Sequence, residues 1–167
     1  MGAFSTGFLL FGITLIYGAT GTFDISGVKD YLVLNPQSVS PLFYSGILLI
    51  LVGLCFKVGA APFHFWTPDV YEGAPILITS YMSTVVKVAS FAAFLRLFYF
   101  VFIPLHDFWT PVLLVIIIIT LFVGNISALM QSSFKRMLAY SSISHAGYML
   151  FAIVAVGSSS SAGILTY

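Results

Sequence analysis

Charge is what this sequence has least of. Six Lys+Arg and five Asp+Glu among 167 residues amount to 7%, against about 25% in a soluble domain. So few charges cannot cover a water-facing surface. With 60% hydrophobic residues and a mean hydropathy of +1.09, the chain reads as an all-α integral membrane protein. A net charge of +1 offers no basic patch for nucleic acid and no acidic tail. Cys55 is the single cysteine, which excludes a disulfide within the chain and a thiolate metal cluster. No Gly-rich phosphate loop follows a strand, no nucleophile–base pair stands out, and no lipidation box is visible. The chain is therefore expected to bind no nucleotide, flavin, haem, iron–sulfur cluster or metal of its own. The first apolar stretch lacks a basic leading region and a small-residue cleavage site, so it is not read as a signal peptide.

A spanning helix needs about 20 mostly apolar residues. Five stretches qualify: residues 2–20, 42–61, 75–99, 111–129 and 134–157, with a link at 62–75, all within one transmembrane region, 1–167. The first carries Gly2, Gly7, Gly12 and Gly18, which permit close helix approach. A polar loop follows, with Asp24, Lys29 and Asp30, and with Asn35-Pro36 as a turn signal. The second stretch is expected to end or kink at Pro62, which lacks a backbone donor and clashes with the carbonyl of Val58. The aliphatic run Val112–Ile119 is expected to face lipid, and Pro104–Trp109 to form a turn.

The link is the most informative part. Pro62, Pro68 and Pro75 enclose His64, Trp66, Asp69, Tyr71 and Glu72. It is either an interfacial loop or a short broken half-helix, and a break at membrane depth is tolerated only where protein or water covers it. Lys57 stands just before it and Lys87 lies inside the next stretch. Ser80, Ser83, Thr84, Lys87 and Ser90 share one helical face, and Ser141, Ser144, His145 and Tyr148 share another. Alternating spans place the link and Lys135-Arg136 on the same side. Counted from that side at about 1.5 Å per residue, Lys57, Lys87 and His145 lie roughly 8, 18 and 14 Å deep. Ionisable groups at such depths mark ion pathways, so these three are the candidate proton relay.

Each has a plainer reading. The lysines could be permanently charged locks paired with Asp69, Glu72 or an acid elsewhere, and His145 a neutral histidine bonded to Ser141 or a neighbouring helix. His64, Asp69 and Glu72 match no trusted metal spacing and read as ties for the helix break, with Asp69 placed to satisfy freed backbone N–H groups. Arg96, Lys135 and Arg136 read as interface anchors.

Phe56-Lys57, followed by Pro62-Phe63-His64-Phe65-Trp66-Thr67-Pro68-Asp69-Val70-Tyr71-Glu72-Gly73-Ala74-Pro75, resembles the signature of the antiporter-like membrane subunits of respiratory complex I, most of all the subunit N family. Ser80–Phe91, the run from Gly124-Asn125 through Lys135-Arg136 to His145-Ala146-Gly147-Tyr148, and Gly2–Leu10 with Ile16–Gly21 agree with it, so the likeness covers nearly the whole chain. It implies a part of a fourteen-helix fold built from inverted five-helix repeats, in a proton-pumping NADH:quinone oxidoreductase. Lys57 would be the proton-switching group, modulated by a glutamate one helix earlier, Lys87 the central-axis lysine and His145 a bridging position. NADH, flavin, iron–sulfur clusters and quinone would belong to the assembled complex. Sister membrane-arm subunits and the lipid bilayer would be the partners, in an energy-transducing membrane, bacterial inner or organellar. With five spans, the chain is expected to be a piece of such a subunit, Met1 being an internal methionine. A cation/proton antiporter, a sister subunit and a purely structural spacer are the competing readings.

Overall fold

The computed structural model describes residues 2–35 and 38–155, and every regular element among them is helical. In chain order these are α1 (Gly2–Thr20), α2 (Ile25–Leu34), α3 (Pro41–Val58), α4 (Trp66–Gly73), α5 (Ile76–Val101), α6 (His106–Leu129) and α7 (Phe134–Val154). A short 3-10 turn, Ile103–Leu105, leads into α6. Among the described residues, five helical stretches are long and apolar enough to cross a membrane: α1, α3, α5, α6 with its leading turn, and α7. The expected end of the last span at Gly157 and the residue Pro36 lie outside the described residues.

Two glycine seams set the packing. α1 lies against α3 so closely that a Cβ on Gly12 would stand 2.9 Å from the Gly46 carbonyl, and one on Gly46 would stand 3.0 Å from the Gly12 carbonyl. α6 and α7 meet at Gly124, where a Cβ would fall 2.9 Å from the Ser144 nitrogen. Helices in lipid gain little from the hydrophobic effect between themselves, so backbone approach of this kind supplies the dispersion contact that holds them. An aromatic row (Phe94, Phe98, Phe102 and Trp109, with Phe43 from α3) fills the centre, its ring centroids 5.1–6.0 Å apart.

Several boundaries differ from the sequence reading. The polar loop before α3 contains α2, because Val28 and Leu32, four residues apart, turn inward and are buried. α3 ends at Val58, not Ala61: Gly59 adopts φ 76°, its N–H reaches Phe56 O, and Ala60 N–H reaches Cys55 O. That pair of bonds is the Schellman motif, so a glycine stops the helix before the proline can. α6 begins at His106, where a turn was expected, because Trp109 is buried and its indole N–H donates to Phe102 O at 3.0 Å. The Val112–Ile119 run does not face outward as a whole. Leu113, Ile116 and Ile117 are core, while Val115 and Ile118 are exposed, as the 3.6-residue helical period requires.

Candidate functional site

Of the two readings of the link, the structure shows the broken half-helix. After Gly59 the chain turns through residues 60–65 and resumes as α4, which packs along the start of α7. His64 faces Tyr140 (ring centroids 6.4 Å), while Asp69 and Glu72 reach Arg136. Both of these carboxylate contacts from α4 converge on Arg136, in the first turn of α7.

The break is tied from three sides. The Trp66 indole N–H donates to Phe56 O at 3.1 Å, occupying a carbonyl at the end of α3. Thr120 of α6 accepts from the Ala61 N–H at 3.0 Å and donates to Ile116 O at 2.6 Å. Arg136 bridges Asp69 and Glu72, each at 3.1 Å. Asp69 is therefore not a cap for free N–H groups, Arg136 is more than an interface anchor, and neither acid is a partner for Lys57 or Lys87. Pro68 is buried with Thr67, whereas Pro62 and Pro75 are exposed at the two ends. Replacing Thr120 with valine keeps the shape but strands the buried Ala61 N–H. We expect a loss of about 1–3 kcal/mol, read as a lowered thermal midpoint of the purified complex, with Thr120→Ser largely retaining the wild-type value.

Lys87 sits on α5 directly after a π-helical turn, Met82–Val86. It is 7% exposed, and its Nζ donates to both the carbonyl and the hydroxyl of Ser142 on α7, each at 2.6 Å. These groups open onto a groove of about 1030 Å³ between α4, α5 and α7, lined also by Tyr71, Ser83, Thr84, Ser141 and His145. Ser83 and Thr84 hydroxyls donate back to Ser80 O at 3.0 and 2.7 Å.

The expected groupings hold in part. Lys87, Ser83, Thr84, Ser141 and His145 share the groove; Lys57 does not line it. It is half-buried in the last turn of α3 and makes no ion pair among the described residues. Ser90 does not line the groove; its hydroxyl bonds to Val86 O. On α7 the expected face divides. Ser144 is buried against α6, bonded to Asn125 Oδ1 at 3.0 Å, and Tyr148 is half-exposed beyond His145. The sequence reading missed Ser142, which stands off the Ser141–Ser144–His145 face, and Thr120 and Asn125, because a single hydroxyl or amide in an apolar stretch has no periodic signal.

A lysine buried among apolar helices and held by a hydroxyl, a broken helix and a polar groove between three helices define a polytopic membrane protein with a polar interior. The chain belongs to the NADH:quinone oxidoreductase/Mrp antiporter transmembrane family, which it matches over residues 1–167. It is 50% identical over 155 residues to NADH-quinone oxidoreductase subunit N of Mycobacterium tuberculosis, covering 93% of this chain and 29% of that protein. It is 46% identical over 167 residues to subunit N of Trichlorobacter lovleyi, covering 100% of this chain and 34% of that one. The chain thus spans about a third of the length of the curated relatives it matches. Among solved structures, a chain of respiratory complex I from Thermus thermophilus with bound Aureothin superposes with a TM-score of 0.74 at 42% identity, over 91% of this chain and 31% of that one. A chain of the Mrp complex from a Dietzia species superposes at 0.82 with 23% identity, over 93% of this chain and 28% of that chain, a likeness of fold.

Proposed function

We propose that this chain is part of a proton-translocating membrane-arm subunit of an NADH:quinone oxidoreductase. The observation that carries the reading is Lys87, buried, bonded to Ser142 and opening onto a polar groove shared with His145. A permanent structural cation would be expected to face an acid, but the acids nearest the break are engaged by Arg136. A lysine held by neutral oxygens can exist in either protonation state, because losing its charge leaves no buried anion behind. Lys57, beside the Gly59 break, is the second switching group and His145 the next acceptor across the groove. Two ammonium groups ~10 Å apart at an effective dielectric of ~20 repel by about 1.7 kcal/mol. Charging one therefore biases the other without fixing its state. NADH, flavin, iron–sulfur clusters and quinone would be bound by other subunits, and redox chemistry there would shift charge and hydration along this axis. The names of the relatives support a bacterial inner-membrane setting and neighbouring membrane-arm subunits as partners.

The test is made in the complete complex, reconstituted in sealed vesicles, with NADH oxidation and proton translocation recorded together. Lys87→Ala and Lys57→Ala should each assemble and lower coupled turnover or the proton-to-NADH ratio by about tenfold, less than the roughly 10²–10⁴-fold typical for loss of a proton-transfer group, because water in the groove partly replaces the lysine. Wild-type rate and ratio in both variants would make the segment a spacer. Activity that needs sodium and proceeds without redox partners would instead favour the antiporter reading.

A further inference from the structure

Asn125 of α6 does not line the groove, yet its amide is bonded at both ends. Its Nδ2 donates to Leu121 O at 2.9 Å within α6, and its Oδ1 accepts from the Ser144 hydroxyl of α7 at 3.0 Å. The first bond orients the amide, so that its oxygen is the atom presented to α7. Ser144 is 4% exposed and lies at the seam, where a Cβ on Gly124 would stand 2.9 Å from its nitrogen. Two residues earlier on the same helix, the carbonyl and hydroxyl of Ser142 each hold Lys87 Nζ at 2.6 Å. Residues two apart leave a helix roughly 200° from one another. α7 is therefore gripped on nearly opposite sides within half a turn, by Lys87 of α5 and by Asn125 of α6.

We infer that Asn125 is a positioning residue for Lys87: through Ser144 it fixes the rotation of α7 that presents both Ser142 oxygens to Nζ. This rests on the proton-translocating reading. Backbone contact at Gly124 sets how closely α6 and α7 approach. A hydrogen bond adds direction, because its donor angle prefers to exceed about 150°, and so it selects one rotation. Small rotations matter here. Turning α7 by about 20° carries a Cα at ~2.3 Å radius through about 0.8 Å. A 2.6 Å contact stretched by that much reaches about 3.4 Å, beyond the usual N–H···O range. Asn125 thus acts on the proton only through α7 and Ser142.

The test uses the complete complex in sealed vesicles. Asn125→Leu keeps the approximate shape and removes both bonds, and Ser144→Ala removes the hydroxyl alone. An interhelical hydrogen bond among membrane helices averages about 0.6 kcal/mol, so both variants should assemble with a nearly wild-type thermal midpoint. Each should lower the proton-to-NADH ratio or the coupled turnover about fivefold, with KM for NADH unchanged. That is less than the roughly hundredfold that a 1 Å misplacement can cost, because the Gly124 seam still restrains α7. Asn125→Asp keeps an oxygen for Ser144 to donate to and should retain most of the wild-type value. Adding Asn125→Leu to Lys87→Ala should lower translocation no further. If Lys87→Ala impairs translocation while Asn125→Leu and Ser144→Ala behave as wild type, the positioning role is overturned and the lysine reading stands. A loss in Asn125→Leu that Asn125→Asp shares, or that adds in full to the loss in Lys87→Ala, also overturns it. Wild-type behaviour of Lys87→Ala would remove the reading on which the inference rests.

Discussion

Replacing Gly59 with alanine will lower both the thermal midpoint and the coupled turnover of the complex that carries this chain. Two independent costs meet at that position. Gly59 adopts φ 76°, and an L side chain in the left-handed region costs about 1–2 kcal/mol. A Cβ there would also stand 2.7 Å from Thr67 Oγ1, and Thr67, in the first turn of α4, is fully buried. Overpacking a filled site adds about 1–3 kcal/mol. The clash falls between the end of α3 and the first turn of α4, so relieving it displaces α4, which carries the Asp69 and Glu72 contacts to Arg136. The double variant Gly59→Ala with Thr67→Ala separates the terms: removing Oγ1 relieves the clash and should leave the backbone cost. If Gly59→Ala alone melts like wild type, the left-handed stop does not hold the break.

A comparable loss is expected from Gly124→Leu. A Cβ at Gly124 would lie 2.9 Å from the Ser144 nitrogen and 3.1 Å from its Cα, so backbone, not a movable side chain, must give way. Separating α6 from α7 costs about 1–3 kcal/mol or more. It also stretches the Ser144–Asn125 bond, worth about 0.5–1.5 kcal/mol. The functional effect follows from what α7 carries. Ser142 lies two residues before Ser144, and a displacement there lengthens the 2.6 Å contacts to Lys87. Assembly yield and thermal midpoint report the first effect, and the proton-to-NADH ratio of whatever assembles reports the second. Gly7→Leu is the control: a Cβ at Gly7 meets nothing within 4 Å in this chain, so a far smaller change in midpoint is expected. Equal losses at Gly7 and Gly124 would remove the seam argument.

Much of this architecture could be read along the sequence, because a bilayer imposes one-dimensional rules. Scarcity of charge, five long apolar runs and intramembrane lysines follow from the cost of polar groups in hydrocarbon, which each residue meets wherever its neighbours lie. The residues of the break were found because proline and glycine act locally. The end of α3 was placed three residues too late, because the proline was read as the stop while the Gly59 turn and its two backbone bonds close the helix first. The start of α6 depended likewise on the burial of Trp109 against Phe98 and Phe102.

Pairing was decided by tertiary structure. By itself the sequence determined that Lys57, Lys87, His145, Asp69, Glu72 and Arg136 all lie in or beside apolar spans, and that several polar residues share helical faces. Only the folding of α4 along α7 assigned both acids to Arg136 and left Lys87 to Ser142. The close approach of α6 and α7 at Gly124 set Ser144 against Asn125 of α6. Helical periodicity fixes the angle at which a side chain leaves its own helix, but the neighbour it meets depends on where the glycine seams let the helices approach.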